Sequence, residues 1–207
     1  MELKVLNKLG QETGRTIELS DSIWGIEPND HAIYLDVKRY MADLRQGTHK
    51  AKERGEIKGS TKKLRKQKGA GHARVGNIKN PLFKGGGRVF GPRPRVYTIK
   101  VNKKVRALAR KSAFAYKAKT EAIVVVEDFD FQNPKTQEYK SIMNNLNANT
   151  KALHLIADDN LNVWLSSRNL KNVKVLTPDL VNTYEIVNHK VLVISENAVK
   201  QIEEQYN

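Results

Sequence analysis

The chain contains no cysteine, which excludes disulfides and thiolate-held zinc or iron and makes a reducing compartment admissible. It also lacks a long apolar run: Ala122 to Val126 is the longest unbroken aliphatic stretch, far short of the roughly 20 residues that a helix needs to cross a bilayer. The opening residues, MELKVLNKLG, alternate apolar with polar and show no secretory signal, so a cytoplasmic location is expected. Aromatic residues make up 7% of the chain. Acids are almost missing from one long segment, since between Arg45 and Arg95 only Glu53 and Glu56 occur.

That same segment holds sixteen Lys or Arg and ten of the thirteen glycines. The window from Lys38 to Lys119 carries 26 basic and 3 acidic side chains, a net of +23, whereas the remainder has 11 against 19, a net of −8. So steep an asymmetry points to a polyanionic partner, nucleic acid or an anionic surface, for one part of the molecule. Setting the basic segment aside leaves roughly 150 residues, enough for one ordinary domain.

The remaining sequence has regular periods. Leu3 to Leu6 and Thr16 to Leu19 read as strands joined around Gly10 and Gly14. Pro28, Asn29 and Asp30 signal a helix start, and Ile33, Val37, Tyr40, Met41 and Leu44 follow at helical spacing, with Gly47 a suitable end. Val105, Leu108, Ala109, Ser112 and Tyr116 can share one face of a second helix, with Lys103, Arg106, Arg110 and Lys117 on another. Strand candidates then recur at Ile123 to Val126, Leu153 to Ala157, Val173 to Leu176 and Val191 to Ile194.

Each of these strands precedes a helix candidate. Tyr139, Ile142, Met143 and Leu146 mark one behind Asn133-Pro134, and Leu161, Trp164 and Leu165 mark another behind Asp158-Asp159. Thr177-Pro178 opens a third, and Val199 and Ile202 lie in the last. Short apolar strands alternating with helices imply an α/β fold, a mostly parallel sheet flanked by helices. The long basic, Gly-rich loop is then inserted between two helices. The expected division is a globular α/β domain from 1–44 and 98–207 and an extended loop over 45–97.

Sixteen mutually repelling cations with few large apolar groups cannot offset an ordering cost of about 1 to 2 kcal/mol per residue, so the free loop is expected to be mobile. Out and back at about 25 residues each way, it can reach at most roughly 80 Å.

Phosphate neutralisation is the direct reading of the cations. The glycines let backbone N–H groups come close to phosphates. Only Phe83, Phe90 and Tyr97 are aromatic there, so folded RNA recognised by shape fits better than a single strand held by stacking. A solvated linker and a DNA-compacting segment are the alternatives. The run GGGRVFGPRPR from Gly85 to Arg95 has neither phosphate-loop nor dinucleotide spacing.

Acids follow several strands: Glu127, Asp128 and Asp130, then Asp158 and Asp159, then Asp179. They read as helix starters. The rival is a metal-dependent nuclease built on Asp128, Asp130 and Asp158 at the strand ends. His31, His49, His72, His154 and His189 show no metal-ligand spacing, and Trp24 and Trp164 read as packing residues. The basic amphipathic helix from Lys103 to Lys119 is read with one face on the core and one toward RNA, in preference to a membrane surface.

RQGTHKAKERGEIKGS, RKQKGAGHARVGNIKNPLFKGGGRVFGPRPR and KVNKKVRALARKSA, with SSRNLKNVKVL and VISENAVKQIEE further on, resemble the bacterial form of the universal large-subunit ribosomal protein four family. The resemblance implies a non-enzymatic structural constituent of the large ribosomal subunit, without cofactor or metal. Its loop would thread into large-subunit rRNA of the 23S type and reach the wall of the nascent-peptide exit tunnel, beside a loop of the universal large-subunit protein twenty-two.

By position, the resemblance places the loop tip over Arg65 to His72, with Gln67, Lys68, Gly69, Ala70 and His72 at the tunnel wall and Arg65, Lys66, Gln67, Lys68, Gly69, Gly71 and His72 also contacting rRNA. The rRNA contacts carried over on the outgoing arm are Arg45, Gln46, Gly47, Thr48, His49, Lys50, Lys52, Arg54, Lys58, Gly59, Ser60, Lys62 and Lys63. On the return they are Arg74, Lys79, Lys84, Gly85, Gly86, Gly87, Arg88, Phe90, Arg93 and Arg95, and beyond the loop Lys103, Lys104, Arg106 and Arg110. The chain departs from the family pattern at Thr61, Leu64, Ala70 and His72, where glycine, proline, threonine and arginine are usual.

Overall fold

The structure, a computed structural model, describes residues 1–206. The chain forms two compact units: Met1–Met41 together with the chain from Lys100 onward, and Ala42–Ile99.

The first unit is built on a six-stranded sheet in the order β2-β1-β3-β6-β4-β5. β1 (Glu2–Leu6) pairs antiparallel with β2 (Glu12–Glu18). β3 (Ile123–Val126), β4 (Ala152–Leu155), β5 (Val173–Leu176) and β6 (Val191–Ser195) all run parallel to β1 and to one another. β4 is buried at every residue and β6 at all but its first, as expected of parallel strands covered on both faces. β2, at the edge, exposes most of its residues.

Helices cover both faces. One face packs α1 (Asp21–Trp24), α3 (Lys103–Lys119), α6 (Thr183–Asn188) and α7 (Glu196–Tyr206) around Ile23, Phe114, Leu153, Ile186, Ile194 and Ile202. The other packs α4 (Thr136–Asn145) and α5 (Leu161–Ser167) around Tyr139, Met143, Val163, Val175 and Val193. The fold is therefore the expected α/β class with a mostly parallel sheet. Among the described residues no helix is long and apolar enough to cross a membrane.

Several local expectations are corrected. β2 begins at Glu12 and ends at Glu18, so Gly14 lies inside the strand and only Gly10 belongs to the turn. There Asn7 Oδ1 accepts from Leu9 N and Gln11 N, both at 2.9 Å, an Asx-type turn. Thr177-Pro178 opens a short 3-10 turn, Pro178–Leu180, and the helix after it starts at Thr183. Its cap is Asn182, whose side chain accepts from Glu185 N.

The faces of two helices also differ from the spacing argument. α2 (Asp30–Asp43) buries Ala32 and Asp36, while Met41 stays about half exposed. Asp36 is held by Arg39 Nε at 3.0 Å and by the Thr183 hydroxyl at 2.6 Å, which satisfies a carboxylate that burial would otherwise penalise heavily. α3 buries Ala109, Ser112, Ala113, Phe114, Ala115 and Ala118, leaving Leu108 and Tyr116 outside. Small side chains let this helix approach its neighbours closely, so alanine takes the place expected for leucine and tyrosine.

Candidate nucleic-acid interface

Among the described residues no helix or strand occurs between Asp43 and Lys103. The second unit is held instead by main-chain bonds between an outgoing and a returning arm. Arg95 N donates to Gly47 O at 3.2 Å, Ala51 N to Pro92 O at 3.0 Å and Arg88 N to Lys52 O at 3.0 Å. Pro92 and Pro94 lack the N–H that a continuous ladder requires, so these contacts stay scattered. At the base Gly47 has φ +65, and a Cβ there would run into the Arg95 carbonyl. Only glycine satisfies both the backbone angle and the close approach.

Side chains add a clasp at the same level. Tyr97 has the Arg45 guanidinium 3.7 Å from its ring centre and that of Arg95 at 4.5 Å, within cation–π range. Its hydroxyl lies 3.2 Å from His49 Nε2. Both acids of the segment are used internally: Glu56 pairs with Lys50 at 2.5 Å, and Glu53 pairs with Arg93 across the arms. The Lys50 hydrogen bond, helped by Glu53 N–H, holds the Glu56 carboxyl below its usual range.

No carboxylate of the described residues pairs with the other fourteen cations between Arg45 and Arg95. Of all sixteen, fifteen are exposed and only Lys79 is partly buried. An array of hydrated, mutually repelling cations on a hairpin suits a polyanion that interleaves with it.

Further out, Leu64 N donates to Gly76 O at 2.9 Å, and no main-chain bond among the described residues involves 65–75. The expected tip, Gln67, Lys68, Gly69, Ala70 and His72, falls in this unbraced turn, with Gln67 bonded to Lys63 Nζ. Leu64 stands where the resembled family carries proline, and a proline could not supply the N–H that Gly76 accepts. On the returning arm Phe90 has φ 54 and a fully exposed ring, a backbone angle that is an outlier for a bulky residue.

The basic helix α3 divides its expected contacts. Lys103 and Lys104 are exposed, whereas Arg106 and Arg110 are partly buried, and Arg110 Nη1 donates to the Tyr206 hydroxyl at 3.1 Å. Lys117 donates to the His189 and Lys190 carbonyls, and burial lowers its pKa. That side chain is turned inward, contrary to the exposed face inferred from spacing.

The acids after the strands do not cap the helices they precede. Asn160, and neither Asp158 nor Asp159, caps α5 by accepting from Asn162 N and Val163 N at 3.1 and 3.2 Å. Asp128 and Asp130 precede α4, whose start has no side-chain cap. Among the described residues no group of three or more His, Asp or Glu side chains is placed to hold a metal ion, so the geometry of a two-metal nuclease site is not met. Trp24 is core, but Trp164, read as a packing residue, is about half exposed at a cleft. His154 is fully buried in β4, and the one sign of it in the sequence is a histidine inside the apolar run ALHLIA.

Residues 17–205 match the model of the ribosomal protein L4/L1 family. A protein of Flavobacterium psychrophilum, "Large ribosomal subunit protein uL4", is 57% identical over 205 residues, covering 99% of this chain and 98% of its own. Proteins of the same designation from Christiangramia forsetii and Cytophaga hutchinsonii are each 56% identical. The first alignment covers 98% of both chains and the second 100% of both.

Proposed function

Because the chain belongs to the ribosomal protein L4/L1 family, one of structural rather than enzymatic proteins, we propose that it is a constituent of the large ribosomal subunit. In this reading it works in the cytoplasm, and its basic unit binds large-subunit rRNA of the 23S type. The observation that carries the RNA assignment is the hairpin whose two acids are consumed internally while fourteen cations face no carboxylate.

The mechanism is coupled ordering. Cations of 45–95 displace counterions from phosphates, main-chain donors of the unbraced 65–75 turn face RNA, and the RNA supplies the packing that the hairpin lacks. The α/β domain, 1–44 and 98–207, anchors this extension of 45–97, with Lys103 and Lys104 of α3 adding phosphate contacts. The tip around Gln67, Lys68, Gly69, Ala70 and His72 forms part of the exit-tunnel wall, near the nascent peptide and the universal large-subunit protein twenty-two. Phe90 adds a single stacking contact for an unpaired base.

The test replaces 45–95 by a short glycine–serine linker, which the Arg95 N to Gly47 O bond shows need bridge only a small gap. The α/β domain is expected to remain folded and tight rRNA binding to be lost. In the intact chain, log affinity should fall linearly with log salt, with a slope reporting several neutralised phosphates. Undiminished rRNA affinity in the deletion, or a flat salt dependence, would overturn the assignment.

A further inference from the structure

At the carboxyl edge of the sheet two clefts of about 310 and 320 Å³ adjoin, sharing Ile156 and Asn160. One is acidic: Asp128 and Asp130 follow β3, and Asp158 follows β4. The other is apolar, and Leu161, Trp164 and Leu180 in it remain 65%, 47% and 64% exposed. None of these three aspartates is in an ion pair among the described residues. Asp128 accepts only from Asn197 N and Asp130 from Phe131 N and Asn160 Nδ2, while Asp158 has no side-chain partner. Two cations beside the lining lie over rings: Lys8 over Phe129 at 5.6 Å and Arg168 over Trp164 at 5.2 Å.

The floor of the acidic cleft carries a second, independent signal. His154 and Ser195 line it, are 1% and 3% exposed, and have Nε2 and Oγ without partners. The register, with His154 opposite Val193, puts both side chains on one face of the sheet. His154 Nδ1 lies 2.9 Å from the Tyr139 hydroxyl, which has no other partner. Burial raises the Tyr139 pKa and keeps that proton in place. The hydroxyl therefore donates to Nδ1, and the proton of the neutral imidazole sits on Nε2. A buried N–H and a buried hydroxyl without partners ask for an acceptor, while the aspartates above them ask for a cation.

An anionic ligand satisfies the first demand and violates the second. A peptide carbonyl beside a lysine or arginine satisfies both, and an apolar neighbour in the same segment fits the adjoining cleft. We propose that this groove is a docking site for a basic segment of another protein. The segment lays an apolar side chain against Leu161, Trp164 and Leu180, sets a cation among Asp128, Asp130 and Asp158, and offers a main-chain carbonyl to His154 Nε2 and Ser195 Oγ. This goes beyond the RNA assignment, which concerns 45–97, and uses charge of the opposite sign.

The test puts p-benzoylphenylalanine at exposed Leu161 of the full chain, irradiates growing cells, and maps the cross-linked peptide by mass spectrometry across a sedimentation gradient. The expected result is an adduct with one other protein, at a segment bearing Lys or Arg beside an apolar residue. Its yield should drop about tenfold or more when Asp128 and Asp158 become Asn, as for loss of a desolvated charge pair. Should the double variant fold poorly, Asp158→Asn alone serves, since that side chain bonds nothing in the chain. Adducts with RNA, with a second copy of this chain or with a segment lacking cations overturn the proposal. So does the absence of any adduct, or a yield unchanged by the Asn substitutions. Sedimentation of the unirradiated chain tests its place in the large subunit separately, so the two readings can fail independently.

Discussion

Acidifying the protein should remove stability through His154 in a window that a single substitution can isolate. Burial pushes the His154 pKa down from 6.5 to about 4, because the cationic form loses hydration that nothing in the core replaces. Between those values the unfolded chain binds a proton that the folded chain refuses. Stability is therefore fully present above about pH 6.5 and lost as pH falls toward 4. About 2.5 pH units at 1.36 kcal/mol each give roughly 3 kcal/mol, a large part of the 5 to 15 kcal/mol of a typical domain.

The assay is urea unfolding followed by tryptophan fluorescence, with Trp24 buried 5.1 Å from the Phe114 ring, from pH 7.5 to 4.5. Carboxylates titrate over part of the same range, so the informative quantity is the difference from His154→Leu combined with Tyr139→Phe. That double variant removes both partners of the 2.9 Å bond and should be close to neutral at pH 7.5. Tyr139→Phe alone, leaving Nδ1 buried without a partner, should cost about 1 to 3 kcal/mol. If the double variant loses as much stability as the parent between pH 6.5 and 4.5, His154 does not take up a proton on unfolding, and its burial carries no pH-dependent stability.

Asn160→Ala removes the side chain that accepts from Asn162 N and Val163 N and should cost about 1 kcal/mol, read as a lower urea midpoint with unchanged slope. Glu121 follows α3 at φ 50, so Glu121→Gly should stabilise by about 1 kcal/mol; a loss of stability would show that its side chain holds the turn. Gly47→Val forces a side chain into the Arg95 carbonyl and should weaken rRNA binding while leaving the urea unfolding of the α/β domain unchanged. Asp36→Ala strips the buried partner from Arg39 and Thr183 and should cost about 3 to 5 kcal/mol, whereas Asp36→Asn should recover part of that.

The parallel strands after α3 were legible because each is a short, largely apolar run between helical periods, and IVVV of β3 admits little else. The basic segment was legible from charge alone. Helix faces were less so: of the expected α3 face Ala109 and Ser112 are buried, but Leu108 and Tyr116, ranked as core by size, lie outside and alanines replace them. The Asp36 site was hidden because its partner Thr183 is 147 residues away, a pairing that no local period encodes. Capping of α5 by Asn160 rather than by the aspartates before it turned on one residue of register. The acidic and apolar clefts depend on which strand ends the sheet order brings together, and order is the property that local patterns specify least.

The position of β6 sets a constraint on how the chain is made. It comes after every other strand in sequence, yet it stands between β3 and β4 and pairs with both. Until it emerges, β3 with the β1–β2 hairpin and β4 with β5 are separate pieces, each with an open edge. Synthesis at about 5 to 20 residues per second therefore delivers the whole cationic hairpin some seconds before the sheet can close. The newborn chain passes through an interval in which its most adhesive segment is complete and its scaffold is not. That interval is a window for binding stray polyanions, and how fast β6 slots in decides how long it lasts.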